Sequence, residues 1–422
     1  MGSDRTGNRH GRLPTVMASP GIRASLQAGH PWVYRDQLVP ARGERGVPRL
    51  PSGTWVRVLC GPFEAVGLWD ARGAIAVRLF DRHTAPDDAR LAERMRAAWD
   101  LRAPLREAWA QGVDSSRMTT AYRWVYGESD GLPGVVVDLY DRYAVLALYS
   151  EGVATLQEPL VRALTAITPL DGIVLRRHGS AAGAKDDDDT AAAARTVIWG
   201  TTPPPDLTVY ENGLLFRANL MEGQKTGLFL DQRENRAYIE PWCRGKRVLN
   251  AFSYTGAFSV YAAQGGATHV TSVDIAAAAV EEARYNLALN GHDPDAHEYV
   301  VADCFQWLEA CARSGRRFDM VIIDPPSLAR AKTGRHAATR AYTRLNRLAM
   351  SCLEPGGLLA TASCTGQVSP DMFREALAAA ATQADRRLTI LREAGHALDH
   401  PVPAHFPEAR YLKFVFGVVH PA

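Results

Sequence analysis

The residues best placed for chemistry close four successive apolar runs. Asn250-Ala251-Phe252-Ser253-Tyr254-Thr255-Gly256 ends the first, Asp274-Ile275 the second, Ala302-Asp303-Cys304 the third and Asp324-Pro325-Pro326 the fourth. In open α/β sheets, ligands bind outside the carboxyl ends of the strands, where backbone amides and helix N-termini are free. Gly256 would let its turn pass close to a ligand. That turn departs from both GxGxxG and the P-loop, so a nucleotide phosphate is not the expected cargo. An acid about twenty residues beyond the first turn, Asp274, can accept both hydrogen bonds of a ribose diol. Asp303 is placed for an adenine amino group, and prolines fix the backbone after Asp324 so that it faces the reaction centre. Singly, such an aspartate more often caps the following helix, and Gly256 could be only a tight turn. Four such ends in the right order point to a ligand.

Cys364, in Thr361-Ala362-Ser363-Cys364-Thr365, ends the run GGLLATAS and so shares a rim with Asp324. Most cysteines are inert, buried, small apolar groups. This position makes Cys364 the candidate nucleophile. Cys304 opens a helix, Cys352 lies in an amphipathic helix and Cys60 ends an N-terminal strand, so these fit less well.

The elements that must position these residues follow from periodicity. From Lys246 onward RVLNAF, THVTSVDI, the stretch around YVVAD, FDMVIID and GGLLATASC read as strands. Helical runs separate them, among them SVYAAQGGA and AAAAVEEARYNLALNG, the latter ended by Gly291. Alternating strands and helices predict a doubly wound, mainly parallel sheet covered on both faces. Residues 20–80 read instead as a small β-rich barrel or sandwich, with strands Thr54–Cys60, Glu64–Asp70 and Ala74–Phe80. A helical stretch from Leu91 to Ala110 breaks at Pro104, and Val135–Tyr140 with Tyr143–Tyr149 makes a hairpin. Residues 179–195, with Asp186 to Asp189, read as an exposed loop rather than a metal site, and Thr201 to Pro205 as a linker. Three domains result: 1–85, 86–205 and 206–422.

Composition narrows the class. The chain has 422 residues, 46% hydrophobic and 22% charged, as in ordinary globular protein. No apolar run approaches the roughly twenty residues of a membrane helix. The opening residues lack the apolar segment of a secretory signal. The six cysteines form no CxxC pair, which argues against zinc or a disulfide framework and favours a reducing cytoplasm. Net charge is only +2, but Arg5, Arg9, Arg12, Arg23, Arg35, Arg42, Arg45 and Arg49 crowd the first fifty residues. They could attract phosphates or form a solvated tail.

LNAFSYTG, VDI, VAD and IIDPPS together resemble the successive motifs of class I S-adenosylmethionine (SAM)-dependent methyltransferases. More narrowly, GQKTGLFLDQRENR (Gly223 to Arg236) followed by LNAFSYTG resembles the bacterial ribosomal RNA large-subunit methyltransferase I family, and GHPWVYRDQL (Gly29 to Leu38) resembles the start of its PUA domain. The resemblance covers roughly residues 20–420 and is most specific in Gly223 to Thr255 and Asp324 to Pro326. It implies a PUA-like RNA-binding domain, a central α/β domain and a Rossmann-like methyltransferase domain. It also implies SAM as cofactor, 5-methylcytosine in 23S ribosomal RNA as product, no membrane and no metal, with a homodimer allowed. Gln224, Lys225, Thr226 and Phe229 are then placed near the cofactor. With them come Asn250, Phe252, Ser253, Tyr254, Thr255, Gly256, Asp274, Ile275, Asp303, Cys304, Asp324, Pro325 and Pro326. Cys364 and Asp324 carry the catalysis. Read without the family, LFLDQRENRAYI starts a helix capped near Asp231, and Arg233 and Arg236 either contact RNA or solvate a helix face.

Carbon 5 of cytosine is a poor nucleophile. A thiolate adding at carbon 6 makes carbon 5 an enamine equivalent that can take a methyl group, after which a base must remove the carbon 5 proton. Other 5-methylcytosine enzymes carry a cysteine directly after Asp-Pro-Pro; here Ser327 stands there, and the family resemblance assigns the role to the later cysteine alone. The base stays open, Asp324 being the nearest candidate. Guanine N7 methylation is the close alternative, because a related family shares the FSYTG turn, but it needs no cysteine. A small-molecule methyltransferase would leave the long β-rich preamble unexplained. A non-catalytic RNA-binding protein would have no use for both Asp324-Pro325-Pro326 and Cys364.

Overall fold

The structure is a computed structural model that describes residues 13–110, 118–177, 195–222, 228–329 and 334–422. The N-terminal unit is a six-stranded sheet in the order Trp32–Tyr34, Ile75–Asp81, Phe63–Trp69, Trp55–Cys60, Thr15–Ala18, Leu38–Val39. Strict alternation along WVRVLC buries Val56, Val58 and Cys60 on one face, where they pack with Val16, Val33 and Val77. This sheet is tied to the next unit by Trp32 Nε1 donating to Glu128 at 2.8 Å and by the Gly152 amide donating to Asp70 at 2.6 Å.

The helical stretch divides into Asp88–Leu101 and Ala103–Ala110, breaking just before Pro104. Five strands follow in the order Arg195–Gly200, Gly172–Arg177, Tyr143–Leu148, Val135–Tyr140, Ala121–Tyr126. The hairpin is present, and Gly172–Arg177 runs parallel to Tyr143–Leu148 after the crossover helix Gln157–Ile167. Every residue of Val135–Tyr140 is buried, because helices cover one face while the other packs on the methyltransferase side. Ala121, Tyr140, Val145 and Val174 share one core with Phe216, Val248, Tyr261 and Met320. Thr201 to Pro205, read from sequence as a linker, therefore connect sheets that share a core. A two-stranded hairpin, Thr208–Glu211 with Leu214–Arg217, lies in that seam.

The C-terminal sheet has strands β1 (Arg247–Ala251), β2 (His269–Asp274), β3 (Glu298–Val301), β4 (Phe318–Ile323), β5 (Leu353–Ser363), β6 (Arg386–Ala394) and β7 (Lys413–Pro421). Their order is β3-β2-β1-β4-β5-β7-β6, parallel except for β7, which runs antiparallel to β5 and β6. Its helices are α1 (Ala257–Gln264), α2 (Ala277–Leu289), α3 (Cys304–Ser314), α4 (Arg335–Ser351) and α5 (Pro370–Gln383). Period-two alternation sends Val248, Val270 and Met320 to the α1 face, and Leu249, Val273 and Val321 to the α3 and α4 face. Burial on both faces explains the nearly continuous apolar strands. Among the described residues, no helix is long and apolar enough to cross a membrane.

Candidate active site at the carboxyl rim

The tips of β1, β2, β3, β4 and β5 form one rim. After β1 the chain makes a tight coil in which Phe252, Tyr254 and Gly256 have φ of 62°, 46° and 77°. Left-handed backbone at two aromatic residues is disfavoured and persists only where surrounding contacts over-determine it. Those contacts are visible: the Phe252 amide donates to Cys304 Sγ at 3.2 Å and the Tyr254 amide to Asp274 at 2.9 Å. Asp274 also accepts from the Ala276 amide at 3.0 Å, so its carboxylate joins the β1 turn to the β2 turn. Phe229 packs edge-on against Tyr254 at 5.1 Å. Ser253 Oγ and Thr255 Oγ1 are buried with no hydrogen-bond partner among the described residues, which leaves two hydroxyls beside the rim able to take a further partner.

Several expected site residues have other occupations. Asn250 lies on the α1 face, 1% exposed, donating to Ser259 Oγ at 2.9 Å, beyond which Ser272 Oγ continues the chain. Strand alternation thus takes it away from the rim. Gly256 is needed for helix packing: a Cβ there would lie 2.5 Å from the Ala283 Cβ of α2. Asp303 caps α3 by accepting from the Gln306 amide at 2.9 Å, and with Phe305 and Gln306 it lines a groove that Ala341 and Arg344 complete. Ile275 is 71% exposed beside Asp274. Burial pushes the Cys304 thiol up to about 12, so it acts as a neutral support for the Phe252 amide. Gln224, Lys225, Thr226 and Asp186 to Asp189 lie outside the described residues.

At the other end of the rim, Cys364 Sγ sits 3.7 Å from the carbonyl of Pro325, joining the β5 tip to Asp324-Pro325-Pro326. The other five cysteines are buried; Cys364 alone is partly open to solvent. Three residues here were missed from sequence. Tyr342 on α4 donates or accepts at 2.7 Å with Thr365 Oγ1, which also receives the Leu328 amide. Burial and the neighbouring Cys364 raise the Tyr342 phenol and keep it neutral. Lys413, the first residue of β7, is buried and donates to the carbonyls of Thr365 and Tyr411 at 2.6 and 2.7 Å. The Phe/Val run KFVFGVVH was the signal for β7.

The segment after Phe229 also differs from expectation. Leu230–Gln232 is a short 3-10 turn before the helix Arg233–Ile239, and Asp231 does not cap it but accepts from Tyr411 Oη at 2.5 Å. Arg233 and Arg236 are 1% and 2% exposed and form ion pairs with Asp399 and Glu211. Neither RNA contact nor a solvated face describes them; they lock this helix between the seam hairpin and the segment before β7. Arg35 likewise is committed to the carbonyls of Gly73 and Asp70, whereas Arg23, Arg42, Arg45 and Arg49 are exposed; Arg5, Arg9 and Arg12 lie outside the described residues.

A doubly wound sheet with this strand order, polar turns at successive tips and two orphaned hydroxyls at the rim defines a SAM-dependent methyltransferase. The family of S-adenosylmethionine-dependent methyltransferases matches residues 192–392, and a PUA-like domain family matches 19–82. A ribosomal RNA large subunit methyltransferase of Deinococcus radiodurans is 40% identical over 404 residues, covering 95% of this chain and 96% of its own. Ribosomal RNA large subunit methyltransferase I of Klebsiella pneumoniae strain 342 is 36% identical over 409 residues, with 95% and 97% covered. Two solved chains, a SAM-dependent methyltransferase from Streptococcus mutans and a methyltransferase complexed with SAH, share the fold at TM-scores of 0.79 and 0.81. They are 21% and 22% identical, each covering 96% of this chain and 100% of theirs. The chain belongs to the ribosomal RNA large subunit methyltransferase I family.

Proposed function

We propose that the chain methylates carbon 5 of a cytosine in large-subunit ribosomal RNA, in the cytoplasm, with Cys364 as nucleophile. The observation that carries this reading is the thiol of Cys364, the one cysteine partly open to solvent, set against the Pro325 carbonyl beside Asp324. Bound SAM supplies the methyl group. Ser253, Thr255, Asp274, Ile275 and Asp303 are the residues we assign to holding it, joined by Gln224, Lys225 and Thr226. The orphaned hydroxyls of Ser253 and Thr255 fit a polar ligand. Cys364 as thiolate adds to carbon 6, so that the Sγ–C6 bond forms and carbon 5 becomes the nucleophile. After carbon 5 has been methylated, its proton passes to a base, with Asp324 the nearest carboxylate of the motif, and the Sγ–C6 electron pair returns to sulfur. A target inside a helix must first be unstacked, which favours single-stranded or flipped-out cytosine. The exposed Arg23, Arg42, Arg45 and Arg49 supply phosphate contacts for the strand.

Ribosomal RNA carrying 5-fluorocytosine should leave the enzyme covalently attached after methyl transfer, because fluorine cannot depart as a proton. Cys364→Ala should bind SAM normally, form no adduct and transfer no methyl group. Substantial methylation by that variant would sink the cytosine-5 reading and favour guanine N7, which needs no thiol.

A further inference from the structure

Lys413 is an ammonium in an unusual position. It is 4% exposed, and among the described residues no carboxylate comes within ion-pair distance of it. Its strand partner across β5 and β7 is Ser363, the residue before Cys364, and one of its hydrogen bonds goes to Thr365, the residue after. Two of its three N–H groups are therefore spent on the carbonyls of Thr365 and Tyr411, which anchor the charge beside the nucleophile. A buried cation left with carbonyl partners alone is unfavourable unless an anion joins it.

We propose that Lys413 is the counter-ion of the Cys364 thiolate, a positioning residue that keeps the nucleophile ionised at neutral pH. The inference rests on the assignment of Cys364 as nucleophile and goes beyond it by naming what activates the thiol. An unassisted thiol with a pKa of about 8.5 is only a few per cent ionised at pH 7, and a neighbouring lysine is one of the devices that lower it. Burial and Arg410 push Lys413 down to about 8, while a Cys364 thiolate pulls it back up. The two groups thus favour each other's charged forms. Among the described residues, the Asp324 carboxylate at the β4 tip is a like charge, and burial keeps the Tyr342 phenol neutral. In the reaction the thiol proton leaves to solvent, the thiolate pair makes and later recovers the Sγ–C6 bond, and Lys413 keeps its three protons throughout.

The test is the pH dependence of iodoacetamide alkylation at Cys364 in the full-length protein, followed on the Cys364 peptide by mass spectrometry. Wild type should show a midpoint at least one unit below about 8.5. Lys413→Met, which keeps the length and removes the charge, should raise that midpoint by a unit or more. It should also lower methyl transfer at pH 7 about tenfold, with recovery at higher pH, and Lys413→Arg should restore most of both. SAM affinity by calorimetry should be unchanged in each variant. Equal midpoints in wild type and a SAM-binding Lys413→Met would overturn the proposal. If Lys413→Met does not fold, a wild-type midpoint at or above about 8.5 overturns it as well. A lowered, lysine-dependent midpoint without a 5-fluorocytosine adduct would uphold the ion pair and remove the cytosine-5 reading. An adduct with an unperturbed midpoint would do the reverse.

Discussion

Replacing Gly256 by alanine separates two roles that glycine could have at the β1 tip. Its φ of 77° is left-handed, which disfavours a residue with a Cβ by about 1–2 kcal/mol. The added methyl would meet Ala283 of α2 at 2.5 Å to its Cβ and 2.8 Å to its Cα. Neither atom can swing away, since Val280, Ala283 and Leu287 anchor α2 in the core, so overpacking adds about 1–3 kcal/mol. The combined loss of about 2–5 kcal/mol should lower the thermal midpoint of a domain of some 200 residues by about 4–20 °C. Circular dichroism melts of Gly256→Ala and wild type, with and without SAM, measure this. A variant melting within a degree or two of wild type would refute the packing argument. If it also lost SAM affinity, the glycine would be there for close approach of the ligand instead.

Three further outcomes are expected. Asp274→Ala should weaken SAM binding by about 1.5–3 kcal/mol, the scale for a hydrogen bond to a charged group; calorimetry showing unchanged affinity would remove Asp274 from the site. Replacing exposed Arg42, Arg45 and Arg49 together by alanine should leave SAM binding intact and flatten the salt dependence of RNA affinity by about 0.7–0.9 in log–log slope for each phosphate no longer neutralised. An unchanged slope would take this patch out of the RNA interface. His396 is neutral in the fold, its Nε2 accepting the Leu412 amide at 3.1 Å, and burial lowers it to about 3. Because an unfolded histidine binds its proton near pH 6.5, its contribution is present above that pH and is lost as pH falls below it. That loss should reach about 2 kcal/mol by pH 5. Urea midpoints at pH 7 and 5 should converge in His396→Gln, and an undiminished difference would put the acid sensitivity elsewhere.

Much of the methyltransferase half was legible because its signals are local. Strand alternation, helix stops such as Gly291 and the polar tips at Asp274, Asp303 and Asp324 depend on neighbours a few residues away. The doubly wound sheet and Cys364's place on the Asp324 rim followed from them. The same local logic misplaced Asn250, where a shift of one residue along β1 exchanges the rim for the α1 face.

What only the tertiary structure decided are pairings between residues far apart in sequence. Arg233 and Arg236 look like surface charges in any window of sequence. They are buried because Asp399 and Glu211 arrive from the segment before β7 and from the seam hairpin. Lys413 reads as an ordinary lysine at the start of an apolar run. It comes beside Cys364 because β7 enters antiparallel between β5 and β6, which sets it opposite Ser363. Local periodicity records which side of a strand is buried but not which strand lies beside it, and the charge of a buried side chain is decided by that neighbour.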